Sequence, residues 1–187
     1  MEEELKKAYH IVAKGGIILY PTDTIWGIGC DATHAEAVQR IYNLKQRPDT
    51  RSMLVLIDSP EYLPYYVNEC PDVALDLIKY SVKPLTVIYS GAKNVASNLI
   101  AEDGTLGIRV TREAFSGQLC QWLKKPLVST SANISGQPAP ANFSEISNEI
   151  LMGVDYVVNY RQQEKQKRQA SSIIRLGKGG VIKVIRE

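Results

Sequence analysis

The sequence predicts one α/β domain spanning residues 1–187, with a mixed β-sheet flanked by helices. Three observations predict it. The chain has 187 residues, the size of one ordinary domain. Segments of helical and strand period alternate through its first two-thirds. Strands then follow one another closely, which helical crossovers between parallel strands would not allow. With 44% hydrophobic and 22% charged residues, the chain is too apolar and too balanced for disorder. No apolar run approaches the ~20 residues of a membrane-crossing helix.

Each element has a local reason. Residues 2–14 put Leu5, Tyr9 and Val12 on one helical face, and Gly15-Gly16 ends the helix. Ile17–Tyr20 is a short buried-strand run. Thr33-x-x-Glu36 reads as a capping box opening a helix to about Leu44. Met53–Ile57 is strand-like, and Ser59-Pro60 starts a short helix. Asp72–Tyr80 is helical. Leu85–Tyr89, Leu106–Val110 and Leu127–Thr130 read as strands, with a helix capped by Thr111 and running to about Leu123. A further helix is expected near Ser144–Leu151. Val154–Val158, Ser172–Leu176 and Val181–Ile185 are strands, the last two joined by the Gly177–Gly180 turn.

The formal net charge is only +2, but it is unevenly spread. Residues 161–187 carry 8 Lys+Arg against 2 Asp+Glu, a basic segment on a mildly acidic body. Within it, 161–169 is polar and basic and reads as a surface loop. The acidic start, Met1-Glu-Glu-Glu4, is unlike a signal peptide. The three cysteines, Cys30, Cys70 and Cys120, are far apart, which points to reduced thiols and a cytoplasmic location. His10 and His34 are not spaced as ligands, so no metal site is expected.

Gly27-Ile-Gly29-Cys-Asp-Ala32 fits a loose G-x-G-x-x-A, but it follows a polar turn instead of joining a strand to its helix. The chemistry lies instead in polar segments at strand ends. Pro21-Thr-Asp-Thr24 follows the first strand; alone it also reads as a capped turn. Lys45, Arg47 and Arg51 lie in seven residues past a helix C-terminus. The helix dipole accounts for one or two of them, and guanidinium forks suit phosphate oxygens. Arg109, inside an apolar strand, needs an internal carboxylate or an anionic ligand. Ser129-Thr-Ser-Ala-Asn133-Ile-Ser-Gly136 places hydroxyls and an amide at a strand's C-terminal end, where α/β sheets bind ligands. A second serine pair, Ser171-Ser172, follows the basic loop. No histidine is placed to activate a serine, so binding is favoured over covalent catalysis. Such a cleft suits a polyanion and acts by positioning and charge neutralisation, with no catalytic acid, base or nucleophile.

Six segments in order, Pro-Thr-Asp-Thr-x-x-Gly, Lys-x-Arg-Pro, Lys83-Pro-Leu-Thr86, Gly-x-Arg-Val, Ser-Ala-Asn-x-Ser-Gly and the late serine pair, resemble the YrdC/TsaC family, the threonylcarbamoyl-AMP synthases. The resemblance runs from about Ala8 to Arg186. It implies a twisted mixed sheet with a concave basic cavity. It also implies condensation of L-threonine, bicarbonate and ATP into threonylcarbamoyl-AMP and pyrophosphate. A downstream tRNA threonylcarbamoyl transferase complex then uses the product; direct contact with tRNA stays open. ATP is a substrate that brings phosphate-bound Mg²⁺, and no tightly bound cofactor or membrane partner is implied.

Position by position, the resemblance gives Thr24, Arg109 and Ser171 to threonine, with Arg109 on its carboxylate. It gives Lys45, Arg47, Arg51, Ser131, Asn133 and Arg186 to ATP, although Lys or Asn is commoner at the position of Arg51. Trp26 stands where tyrosine is usual, Lys83-Pro84 replaces Gly-Pro, and Ser171-Ser172 replaces Ser-Thr. The chain stops at Glu187 where longer members continue, so the 161–169 loop is the expected closing element. The competing expectations are an RNA-binding module of the same fold and the related carbamoyl-adenylate-forming domain of hydrogenase maturation proteins. The second is normally embedded in a much longer chain.

Overall fold

The computed structural model describes residues 1–47 and 53–187. Among these residues nine strands form one sheet in the order β7-β1-β2-β6-β3-β5-β4-β8-β9. They are β1 (Ile18–Tyr20), β2 (Gly27–Gly29), β3 (Leu54–Ile57), β4 (Leu85–Ser90), β5 (Thr105–Val110), β6 (Leu127–Ser131), β7 (Tyr156–Val157), β8 (Ser172–Leu176) and β9 (Ile182–Arg186). The helices are α1 (Glu2–Ala13), α2 (Ala35–Leu44), α3 (Leu63–Tyr66), α4 (Asp72–Tyr80), α5 (Ala114–Leu123) and α6 (Asn148–Gly153). The β1/β7, β3/β5 and β4/β8 pairs are parallel and the other pairs antiparallel, so the sheet is mixed as expected.

The period of two along each strand sorts its residues onto two faces. On one face Leu19, Ile28, Val55, Val87, Leu106, Ile108 and Val128 share one apolar core with Val38 and Ile41 of α2, Leu63 of α3 and Ala74 of α4. On the other, Ile18, Tyr20, Leu56 and Leu127 meet α1 through Leu5, Ala8 and Val12, and α5 through Phe115, Leu119 and Leu123. The two helices cover only part of this second face. Beyond them the same alternation brings up Thr86, Thr105, Gly107, Arg109, Ser129 and Ser131, which line a cavity instead of a core.

Several local expectations are corrected. The loose G-x-G segment is the strand β2, absent from the sequence reading. A Cβ at Gly29 would sit 2.3 Å from the Val128 carbonyl and 2.7 Å from the Tyr20 ring, so close packing of strands explains that glycine. The cap of α2 is His34 in place of Thr33. Asp31 accepts from the Thr33 amide and hydroxyl at 2.8 and 2.7 Å, leaving the His34 ring to accept from the Ala37 amide. Glu113, not Thr111, caps α5, accepting from the Ser116 amide at 2.8 Å. The helix expected near 144–151 begins at Asn148, after a single 3₁₀ turn at Phe143–Glu145.

Candidate active site

The cavity of about 250 Å³ opens on the uncovered part of the sheet. Strand register builds its wall. Leu56 pairs with Arg109, Val87 with Ile108, Thr86 with Ile173, and Ile173 with Arg186. One transverse row therefore runs from β5 through β4 and β8 to β9, with an arginine at each end. Gly107 keeps the floor open, because a Cβ there would meet the Thr86 methyl at 3.3 Å and the Leu54 Cβ at 3.4 Å.

Of the residues singled out from the sequence, Thr24, Arg47, Arg109, Ser131, Ser171 and Arg186 line this cavity. Arg47 is turned toward it by the way α2 ends. Gln46 takes a left-handed φ of 49°, and the Arg47 amide donates back to the Tyr42 carbonyl at 3.0 Å, as in a Schellman ending. Arg51 lies outside the described residues. Lys45 and Asn133 do not line the cavity; their bonds hold the turn that follows Ser131. Lys45 is 1% exposed. Its Nζ donates to the Ser131 carbonyl and, at 2.6 Å, to the Asn133 carbonyl. Burial and, after it, the Arg47 charge pull the Lys45 amine down to about 7. Asn133 Nδ2 donates to the Ile134 and Gln137 carbonyls at 3.1 and 2.7 Å, closing the turn.

Arg109 is 3% exposed and has an internal carboxylate, with Nη2 3.1 Å from Asp23 Oδ1. Among the described residues its buried Nε has no hydrogen-bond partner, so the fork keeps a donor for an incoming anion. Desolvation raises the Asp23 carboxyl, against the pull of Arg109. On the far wall the Ser171 and Thr86 hydroxyls lie 2.8 Å apart. Arg186 Nε and Nη2 donate to the Ser171 carbonyl at 2.9 and 2.7 Å. Burial and the charge of Arg109 both lower the Arg186 guanidinium, which places two cations within each other's field.

Sequence reasoning gave no individual role to Asp23, Thr86 or Thr22. A threonine in the apolar strand Leu85–Tyr89 was a visible signal for Thr86, and the family motif already contained Thr22 and Asp23. Thr22 Oγ1 donates to the Ile25 carbonyl at 2.7 Å and accepts from the Thr24 amide at 3.0 Å, which shapes the turn that presents Thr24. Trp26 lines the cavity with its ring centroid 4.8 Å from that of Phe143. The 161–169 loop packs behind this turn. Among the described residues no group of three His, Cys, Asp or Glu side chains could hold a metal ion, and no helix is long and apolar enough to cross a membrane.

An α/β sheet whose uncovered face gathers three arginines and several hydroxyls defines a class of anion-binding, group-transfer site. The chain belongs to the Sua5/YciO/YrdC family, whose model, described as "Telomere recombination", matches residues 10–187. It is 32% identical over 161 residues to the threonylcarbamoyl-AMP synthase of Pseudoalteromonas translucida, covering 84% of this chain and 86% of that protein. The crystal structure of E. coli YciO superposes with a TM-score of 0.86 at 27% identity, covering all of this chain and 90% of that one. P. abyssi Sua5 complexed with L-threonine shares the fold, with a TM-score of 0.87 at 24% identity. This chain spans 54% of the length of that structure.

Proposed function

We propose that the protein is an L-threonylcarbamoyladenylate synthase acting in the cytoplasm as one catalytic domain. The observation that carries the reading is one cavity lined by Thr24, Arg109 and Ser171 together with Arg47, Ser131 and Arg186. The related synthase and the threonine-bound fold relative support it. The RNA-binding alternative has no comparable support.

Threonine sits with its carboxylate on Arg109 and its polar groups toward Thr24 and Ser171. Its amine takes up carbon dioxide from bicarbonate to give a carbamate. A carbamate oxygen then forms a bond to the α-phosphorus of ATP as the bond to pyrophosphate breaks. Arg47 and Arg186 hold phosphate oxygens as negative charge moves onto pyrophosphate, and the family resemblance assigns Arg51 the same role. The Ser131–Asn133 turn, braced by Lys45, meets the nucleotide. Mg²⁺ belongs to the ATP substrate and is held by phosphates and water; no step is assigned to a protein-bound ion. A transferase complex then moves the threonylcarbamoyl group to tRNA.

The test is mass spectrometry after incubating folded protein with ATP, labelled bicarbonate and threonine. Labelled threonylcarbamoyl-AMP is the expected product. Its absence refutes the assignment.

A further inference from the structure

We propose that Arg161 is a positioning residue for the threonine end of the site, latching the 21–24 turn to the chain that continues from the Arg109 strand. Four acceptor contacts converge on its guanidinium. Nη1 donates to the Thr22 carbonyl at 3.2 Å and to Glu113 Oε1 at 3.1 Å. Nε and Nη2 donate to the two oxygens of Glu164 at 2.7 and 2.9 Å. The Arg161 and Glu113 side chains are 13% and 10% exposed, so this pair is far better shielded than an ordinary surface ion pair.

Glu113 is a firm anchor. Its other oxygen accepts from the Ser116 amide and hydroxyl at 2.8 and 2.9 Å, and it stands four residues after Arg109. Thr22 is the shaping residue of the turn, two residues before Thr24. Arg161 thus ties together the two segments that meet again through Asp23 and Arg109. Its backbone φ of 62° is left-handed, unfavourable for a non-glycine residue, and such a conformation persists where surrounding bonds over-determine it. The rest of the basic loop is also tethered. Arg168 Nη2 donates to Glu164 at 3.2 Å, and the Arg168 amide donates to the Ala141 carbonyl at 3.2 Å. In this arrangement the loop works as a fixed strap behind the threonine pocket.

The identity of the ligand rests on the proposed function, so the test has one arm that needs no substrate. In Arg161→Gln, hydrogen–deuterium exchange should rise at least tenfold at residues 20–27 while β5 and β6 keep wild-type protection. Steady-state pyrophosphate release should show threonine KM raised at least tenfold with ATP KM within twofold. Arg161→Lys, which keeps the charge but not the fork, should recover part of both effects. Unchanged exchange at 20–27, exchange raised evenly along the chain, or equal movement of both KM values would overturn the latch. If the Gln variant does not fold, the same readouts on Arg161→Lys decide, with at least threefold shifts expected. Wild-type protein that makes no adduct would refute the synthase reading, while the exchange arm would still judge the latch.

Discussion

Replacing Lys45 by Met keeps the length of a fully buried side chain and removes the amine that holds two carbonyls of the Ser131–Asn133 turn. The Ser131 carbonyl still accepts from the Asn133 amide at 2.9 Å, so the Asn133 carbonyl is the one that loses its donor, at a cost of about 1–3 kcal/mol. Relief from burying a cation offsets part of this, so a net loss of roughly 1–2 kcal/mol is expected near neutral pH. For a domain of this size each kcal/mol lowers Tm by about 2–4 °C, giving a fall of roughly 2–8 °C. The pH dependence carries a sign. The folded-state pKa of about 7 lies below the ordinary 10.5. Between the two the unfolded chain binds more protons, so wild-type stability rises with pH, by at most ~1.4 kcal/mol per pH unit. The slope fades as pH falls through about 7 and is gone about one unit below it. The Met variant lacks the titration, so its deficit should widen from pH 7 to pH 9. Thermal melts of both proteins across pH 6–9 are the assay. The absence of any Tm loss, or a deficit that narrows as pH rises, would refute the reasoning.

Other outcomes follow from the same geometry. Arg47→Ala should lower kcat/KM for threonine-dependent pyrophosphate release by about 1.5–3 kcal/mol of transition-state binding, roughly 10- to 150-fold; intact turnover would remove Arg47 from the phosphate site. Gly107→Val should block the cavity floor against Thr86 and Leu54. It should abolish threonine binding in calorimetry while costing about 1–3 kcal/mol in urea unfolding. Gly29→Ala should cost more than about 3 kcal/mol, because its Cβ would meet the Val128 carbonyl; a near-wild-type melt would contradict the strand packing. Asp155 accepts from both Arg40 nitrogens and from the Ile17 amide, and its carboxyl is held low, chiefly by the Arg40 hydrogen bond. Its contribution is present above the ordinary carboxylate range and lost as pH falls through the lowered value. Asp155→Asn should therefore be less stable than wild type at pH 6, with the gap closing toward pH 2 in acid-unfolding curves.

Much of this was legible from local order. Apolar alternation announced the long strands because a period of two is a local property. α1 was readable through its glycine stop and α4 through its apolar spacing. Short elements escaped where the local signal pointed elsewhere. β2 is three residues of Gly-Ile-Gly, and only packing against Val128 and Tyr20 makes a strand of it. Thr33 and His34 compete for the same cap, and Asp31 decides between them.

The sequence by itself determined an α/β chain and, through six ordered motifs, the family and nine candidate site residues, six of which line the cavity. The tertiary structure decided what each cation does. Lys45 and Arg47 are two residues apart, yet the left-handed turn at Gln46 sends one amine into the protein and one guanidinium to the cavity. Arg109 and Arg186 are 77 positions apart, and the register of β5, β4, β8 and β9 places them at the ends of one row. The sequence left open whether Arg109 meets an internal carboxylate or a ligand. The fold gives Nη2 to Asp23 and leaves Nε without a partner among the described residues. Charge, propensity and periodicity act over a few residues and survive in a linear reading. Ion-pair geometry depends on distances set by strand pairing, and these exist only once the chain has folded.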